Sequence, residues 1–158
     1  MEEILIAVLN RIEQKVAGLS LIDEDTGQID APDSEMDSYP VTFPCVLAGN
    51  TDANWTDMGV GTGVQKGEIQ MSVKLAIDCY DDTHIGSGTT EKIRERQQLS
   101  SEVYRSLQGF RLDGSYMGSM TRIKSRDYTM PGNIKVYEKI FRFYYHDESA
   151  RPDKVLHP

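Results

Sequence analysis

Four side chains of the kinds that bind metal ions lie close together in the middle of the chain: Asp78, Asp81, Asp82 and His84. Carboxylate oxygens and an imidazole nitrogen are suitable ligands for a divalent cation. The spacing does not match the twelve-residue calcium loop, and the residues join a predicted strand to a predicted helix. Acidic residues are common in such connections. We therefore interpret the segment as a turn, and we predict neither a bound metal nor another cofactor.

A glycine-rich segment, residues 59–67, invites comparison with phosphate-binding loops. Such a loop follows a strand and precedes a helix, so that helix N–H groups can hold the phosphate. Here a predicted strand follows the glycines, and the sequence has no Gly-Lys-Ser or Gly-Lys-Thr. The pattern favours a flexible loop between two strands over a nucleotide site.

The sequence has no recognisable arrangement for nucleophilic catalysis. Its three histidines are His84 in a loop, His146 at a strand end and His157 in a polar tail. No Gly-x-Ser-x-Gly elbow occurs, and neither Cys45 nor Cys79 has an obvious histidine partner. We expect both cysteines to be free and to pack as small apolar side chains. We predict that the protein is not an enzyme, with a metal-dependent enzyme built on the aspartates and His84 as the weakest alternative.

Composition indicates one globular domain. The chain has 158 residues, of which 39% are hydrophobic and 27% charged. No apolar run approaches the roughly 20 residues needed to cross a bilayer, and the amino end lacks the basic start of a signal peptide. We expect a protein without membrane contact that stays in the cytoplasm where it is made. We assign residues 1–146 to a single α+β domain and residues 147–158 to a polar tail.

Charge is distributed unevenly along the chain. Residues 1–90 carry a net charge of −12 and residues 91–158 a net charge of +4, within a total of −8. Two solvated faces of opposite sign would explain this split. It would also suit an acidic surface that meets the basic surface of a neighbouring copy, a head-to-tail contact that closes into a ring or extends as a filament.

Hydrophobic periodicity predicts two helices and four strands in the order α-β-β-α-β-β. The helices are predicted at 2–19 and about 90–108, and the strands at 39–47, 68–80, 120–130 and 134–145. Long loops are predicted at 20–41, which is strongly acidic, and at 49–67. A mostly antiparallel four-stranded sheet with both helices packed on one face would bury all the apolar stripes.

The last predicted strand changes its apolar side partway along. Ile134 and Val136 lie on one parity, whereas Tyr137, Phe141 and Phe143 lie on the other. A β-bulge or a change in the layer that covers the strand would explain the difference.

Several exposed side chains are candidates for contacts with partners or with other copies. Trp55 lies in a predicted polar loop near Met58, where it either tucks against the core or anchors an interface. The charged candidates are Asp23, Asp25, Asp33 and Asp37 in the first half, and Arg94, Arg96, Arg122 and Arg126 in the second. Because the overall balance is acidic and no nucleic-acid motif occurs, we expect these arginines to face solvent or a protein rather than DNA bases.

The layout resembles the tail-terminator and tail-completion proteins of long-tailed bacteriophages. The matching features are an amino-terminal helix over Ile4–Leu19, the segment Tyr39-Pro40-x-x-Phe43-Pro44, a long alternating strand over Ile69–Tyr80, a mid-chain helix with Leu107 near its end, and a closing strand over Lys135–Phe143. The resemblance covers roughly residues 2–146 and is one of layout rather than of a specific motif.

The resemblance implies a structural phage or prophage protein. Proteins of this family form a ring, usually of six copies, which caps the tail tube, ends its polymerisation and joins it to the head connector. The implied partners are other copies, the tube protein and a head-completion protein, with DNA passing through the lumen without specific binding. The implied location is the host cytoplasm during assembly and then the virion tail. The alternative is a small ligand- or partner-binding α+β module with a pocket lined by Tyr137, Phe141 and Phe143.

Overall fold

The computed structural model of the protein describes residues 1–30, 41–80 and 83–153. Within these residues the elements are α1 (Glu2–Lys15), β1 (Leu21–Glu24), β2 (Cys45–Asp57), β3 (Gln65–Asp78), α2 (Glu91–Leu107), β4 (Thr121–Met130) and β5 (Ile134–Asp147). The predicted α+β class is confirmed. Both helices, the long alternating strand and the closing pair of strands are present, with α1 ending at Lys15. The strand predicted at 39–47 was placed too early: among the described residues it begins only at Cys45, directly after Pro44, which has no N–H to donate to a ladder.

The sheet has five strands in the order β1-β2-β3-β5-β4. Strand β1 is parallel to β2, and the remaining neighbours are antiparallel. The prediction of four strands was therefore wrong by one, because β1 lies inside the segment that was predicted to be an acidic loop. Strand β1 has only four residues, Leu21-Ile22-Asp23-Glu24, which is too short for alternation to be recognised. Its pairing with β2 defines it as a strand.

The predicted loop at 49–67 is mostly a β-hairpin. Strand β2 continues to Asp57 and β3 begins at Gln65. The outer half of β2 is polar and exposed, so its sequence has no apolar alternation, and backbone pairing with β3 extends it. Gly67 lies opposite Trp55 in this hairpin. A side chain at position 67 would have its Cβ 2.6 Å from the indole ring, so glycine leaves the space that Trp55 occupies.

Both helices pack on the same face of the sheet. The core on that face contains one stripe from each helix and the alternating residues of the two central strands. Its members include Ile4, Val8 and Ile12 of α1, Val103 and Leu107 of α2, Ile69, Met71, Val73 and Leu75 of β3, and Phe141 and Phe143 of β5. The alternation predicted for β3 is the pattern that buries these odd-numbered positions.

A second apolar layer covers part of the opposite face. Its buried residues are Ile29, Cys45, Leu47, Ala76 and Val136. Ile29 and the partly buried Val41 and Phe43 come from chain outside the sheet and pack over these strand positions. The change of apolar side in β5 therefore reflects a second covering layer, while a register shift lies in β4, between Arg122 and Lys124.

An ion pair lies within this second layer. Lys74 Nζ is 2.8 Å from Asp25 Oδ2, which also accepts a hydrogen bond from Asn50 Nδ2 at 2.9 Å. The Asp25 side chain is fully buried and that of Lys74 is 11% exposed. Burial by itself lowers the pKa of Lys74, but the hydrogen bond and charge of Asp25 outweigh it and raise the pKa above 10.5.

Glu138 is the centre of a second buried polar group on the same face. Its carboxylate accepts hydrogen bonds from Arg126 Nε at 3.0 Å, Tyr128 Oη at 3.0 Å and Ser72 Oγ at 3.2 Å. Burial opposes ionisation of Glu138, but these donors and the Arg126 charge lower its pKa below 4.5. The two polar groups connect β2, β3, β4 and β5 across a face that the helices do not cover.

We expect Asp25→Ala to lower the free energy of unfolding by about 3 kcal/mol, because Lys74 would remain largely buried without its counter-charge. Adding Lys74→Met should recover most of that loss. Urea denaturation followed by circular dichroism measures both effects. Asp23→Ala removes an exposed carboxylate two residues away and should change stability by no more than about 0.5 kcal/mol. Equal effects of the two alanine substitutions would contradict a structural role for the ion pair.

We expect Glu138→Gln to remove one component of acid sensitivity. Because the folded-state pKa of Glu138 lies below 4.5, its stabilising contribution is complete above that pH and is lost as the pH falls through the folded-state pKa. The variant should be less stable at pH 7 and should lose less stability than wild type as the pH falls below 4.5. Urea midpoints over a pH series measure this. Glu13→Gln, which changes an exposed carboxylate, should retain the wild-type pH dependence.

Candidate functional site

Only Asp78 and His84 of the predicted metal-binding segment lie within the described residues. Among the described residues, no group of three or more His, Cys, Asp or Glu side chains could hold a metal ion. Asp81 and Asp82, the other two members of the predicted metal-binding segment, lie outside those residues. Cys45 is free, and burial raises its pKa to about 11, which keeps the thiol protonated and unreactive. No helix in the described part of the chain is long and apolar enough to cross a membrane.

One edge of the sheet is acidic. Strand β1 forms this edge, and Asp23 and Glu24 are exposed on it. Asp25 does not belong to this surface, because it is 6% exposed and paired with Lys74. The prediction that Asp25 takes part in a surface contact was therefore wrong. Asp33 and Asp37 lie outside the described residues.

An open groove adjoins this acidic edge. It has a volume of about 470 Å³ and runs between α1 and the chain that leads into β1. Apolar side chains on its walls include Ile6, Leu9, Leu19 and Leu21, and Ile6 is 57% exposed. The acidic edge thus places exposed carboxylates beside partly exposed apolar side chains, as in an interface with an apolar centre and a polar rim.

The opposite edge of the sheet is basic. Strand β4 forms it, and Arg122, Lys124 and Arg126 are exposed along the strand. The Arg122 guanidinium lies 3.8 Å from the ring centroid of Tyr104 in α2, a distance suited to a cation–π contact. Arg126 pairs with Glu138 at 3.0 Å. Two of the predicted interface residues, Arg122 and Arg126, therefore lie on the same edge strand.

The other two predicted arginines lie on α2. Arg94 pairs with Glu91 at 2.7 Å within the helix, with both side chains exposed. The buried Nε of Arg96 has no hydrogen-bond partner among the described residues. Exposed pairs within a helix contribute little to stability, so Arg94 stays available for a contact with a partner.

A polar cleft of about 220 Å³ lies between α2 and strands β4 and β5. It is lined by Gln97, Ser100 and Ser101 of α2, by Arg122, Ser125, Arg126 and Asp127 of β4, and by Tyr137, Glu138 and Lys139 of β5. Lys139 is only 5% exposed, and its ammonium donates a hydrogen bond to Ser100 Oγ. Burial, with a smaller effect from the Arg122 charge, lowers the pKa of Lys139 to about 8.

Lys139 was not among the residues predicted from the sequence to form a site. It shares its face of β5 with Tyr137 and Phe141, since they are two positions away on either side. Its even spacing from these two aromatic residues is the feature of the sequence that predicts a position for Lys139 beneath the helices. A lysine is rarely buried without a partner, and that general expectation favours an exposed side chain even within an apolar stripe.

A lysine of lowered pKa beside a serine has two features of a nucleophilic pair. Acyl transfer also needs N–H donors that stabilise the oxyanion. Ser100 lies in the interior of α2, where neighbouring N–H groups are used by the helix itself. The arrangement is better suited to holding a negative charge than to forming a covalent intermediate.

The hairpin formed by β2 and β3 carries the two apolar interface candidates. Trp55 is 39% exposed and Met58 is 42% exposed. One side of the indole covers Gly67, so Trp55 is partly packed and partly available. The interface role of both residues stays a prediction.

Within the described residues, the three aromatic side chains expected to line a small-molecule pocket are buried. Phe141 and Phe143 are at most 1% exposed and belong to the core beneath the helices, and Tyr137 is 7% exposed. Tyr137 does border the polar cleft, but the three aromatic residues do not line a common opening among the described residues.

No protein-family model and no curated protein sequence matches the chain. Among solved structures, a chain of the virion of a native gene transfer agent particle has a similar fold, with a TM-score of 0.61 and 10% sequence identity. The match covers 90% of this chain and 94% of the other. At that identity the likeness shows a shared fold.

We expect Lys139→Met to stabilise the isolated protein at pH 7 by about 2 kcal/mol, because a buried ammonium would be replaced by an apolar side chain of similar length. Wild-type stability should rise as the pH increases from about 8 to 10.5, since the unfolded chain binds the extra proton over that range. The variant should lack this rise. Thermal or urea unfolding over a pH series tests both expectations. A destabilised Lys139→Met protein at pH 7 would contradict the assigned burial.

Proposed function

We propose that this chain is a structural protein of a tailed phage or phage-like particle, and that it forms a ring that caps the tail tube. In this role it ends tube polymerisation and joins the tail to the head connector. Its partners are other copies of the chain, the tube protein and a head-completion protein. The proposal includes six copies in the ring, as the resemblance implies.

The particle setting is supported by the shared fold. The similar chain belongs to the virion of a gene transfer agent, and the likeness extends over nearly the whole of both chains. Fold likeness alone does not determine function. The resemblance found in the sequence points independently to the same class of protein.

The observation that carries the ring proposal is the position of the two charged strands. The acidic strand β1 and the basic strand β4 form opposite edges of one sheet. A contact between β1 of one copy and β4 of the next uses different surfaces on each copy, and such contacts close into rings when the rotation permits. Opposite charges at these surfaces favour that orientation over edge pairing between like strands.

The excess of acidic residues suits a channel for DNA. With a net charge of −8 per copy, the assembled protein as a whole would repel the phosphate backbone. Passage without binding is what a tail lumen requires. The basic β4 surface would then lie at the contacts between copies rather than facing the DNA.

Light scattering on a sizing column over a concentration series tests the proposal. We expect wild type to form a closed oligomer near six subunits, with dissociation favoured by high salt because the edge charges are screened. A wild-type protein that stays monomeric at all concentrations, with and without the tube protein, would overturn the ring.

Charge-reversal variants test the pairing of the two edges. Asp23→Lys with Glu24→Lys, or Arg122→Glu with Lys124→Glu, should each shift the protein towards monomer by at least about tenfold in the association constant. All four changes together should restore assembly, since the edges are again complementary. Arg111→Glu, which reverses an exposed charge outside both edge strands, should assemble as wild type does. Unchanged assembly of both edge variants would contradict the contact.

A further inference from the structure

The polar cleft between α2 and strands β4 and β5 contains a buried ammonium that is not paired with any carboxylate in the described part of the chain. Lys139 is 5% exposed, and within the described part of the chain its ammonium forms no ion pair and one hydrogen bond, to Ser100. The nearby Arg122 has the same sign and opposes the charge of Lys139. Buried charges in proteins are generally paired, and the described residues do not complete such a pair for Lys139.

Two acidic residues, Asp127 and Glu138, also line the cleft, and each pairs with a different basic residue. Asp127 is exposed, lies 3.0 Å from Lys135 and forms no ion pair with Lys139. Glu138 accepts hydrogen bonds from Arg126, Tyr128 and Ser72 on the opposite face of the sheet. Neither supplies the counter-charge that Lys139 lacks.

The lining of the cleft has the donors that an oxyanion requires. Lys139 lies at the inner wall, the exposed Arg122 lies at the edge strand, and Ser125 is directly opposite Lys139 in the pairing of β4 with β5. An ammonium, a guanidinium and hydroxyl groups are the usual partners of carboxylate and phosphate oxygens. A volume of about 220 Å³ accommodates such a group.

We propose that this cleft binds an oxyanion, and that in the assembled protein the oxyanion is a carboxylate from the acidic edge of a second copy. The second part rests on the proposed ring. The carboxylates of Asp23 and Glu24 are exposed on the opposite edge of the sheet, so a head-to-tail contact brings them towards the side on which the cleft opens. The incoming carboxylate would remain covered by the two copies, where charge-assisted hydrogen bonds are strongest.

The first experiment measures anion binding by thermal unfolding at pH 7, at a protein concentration where the chain is monomeric. Sodium acetate and sodium phosphate are compared with sodium chloride at equal ionic strength. The unfolding midpoint of wild type should rise by about 3 °C in 100 mM acetate or phosphate. Lys139→Met should show no such rise and Arg122→Gln a smaller one. Lys124→Met, which removes an exposed lysine from the other face of β4, should respond as wild type does.

The second experiment identifies the source of the anion by measuring assembly of the same variants with light scattering. Lys139→Met should lose at least about tenfold in the association constant although its fold is intact, while Lys124→Met loses less. If wild type and Lys139→Met respond equally to the anions, there is no oxyanion site. If Lys139→Met lacks the anion response but assembles like wild type, a free anion is the ligand and the second copy is not. A wild type that never assembles but binds anions overturns the ring and the second-copy source, and leaves the oxyanion site standing.

Discussion

The antiparallel pairing of β3 with β5 is the constraint on which the rest of the fold depends. The two strands pair without interruption from Gln65 with Asp147 to Asp78 with Ile134. Side chains alternate between the two faces of a strand, so this register determines which positions lie beneath the helices and which face the other way. It aligns Met71 with Phe141 on the helix face and Lys74 with Glu138 on the opposite face. The two buried polar groups and both apolar layers follow from that alignment.

The central strands need cover on both faces, and the two faces are covered differently. The helix face is filled with apolar side chains from α1 and α2. The other face combines a small apolar layer with Asp25 paired to Lys74 and Glu138 held by its three donors. Buried ion pairs often contribute less to net stability than apolar packing of the same volume. A register that separated the two partners, however, would leave a buried charge unpaired, which is strongly destabilising. They therefore favour one register of β3 over its alternatives.

The same register explains the position of Lys139. This lysine occupies a helix-facing site between Tyr137 and Phe141, where an apolar residue would be more stable in the isolated chain. Burial of its ammonium, which also lowers its pKa, reduces the stability of the isolated chain, and the fold does not require a lysine at this position. Positions where local stability is given up are frequently sites of interaction, and the adjoining basic edge strand relates this one to assembly.

The sequence alone determined the α+β class, both helices, the long alternating strand and the closing pair of strands around Pro131-Gly132-Asn133, because each of these has a strong local signal in periodicity or turn chemistry. Only tertiary structure decided the parallel strand β1 and the outer half of β2, whose short or polar sequences become strands through pairing with their neighbours. It also decided that Asp25 is buried while Asp23 is exposed, since burial depends on which distant strand lies opposite. The separation of charge was visible along the chain, but its position at the two edges required the strand order, because residues far apart in sequence form a surface only after the sheet is assembled.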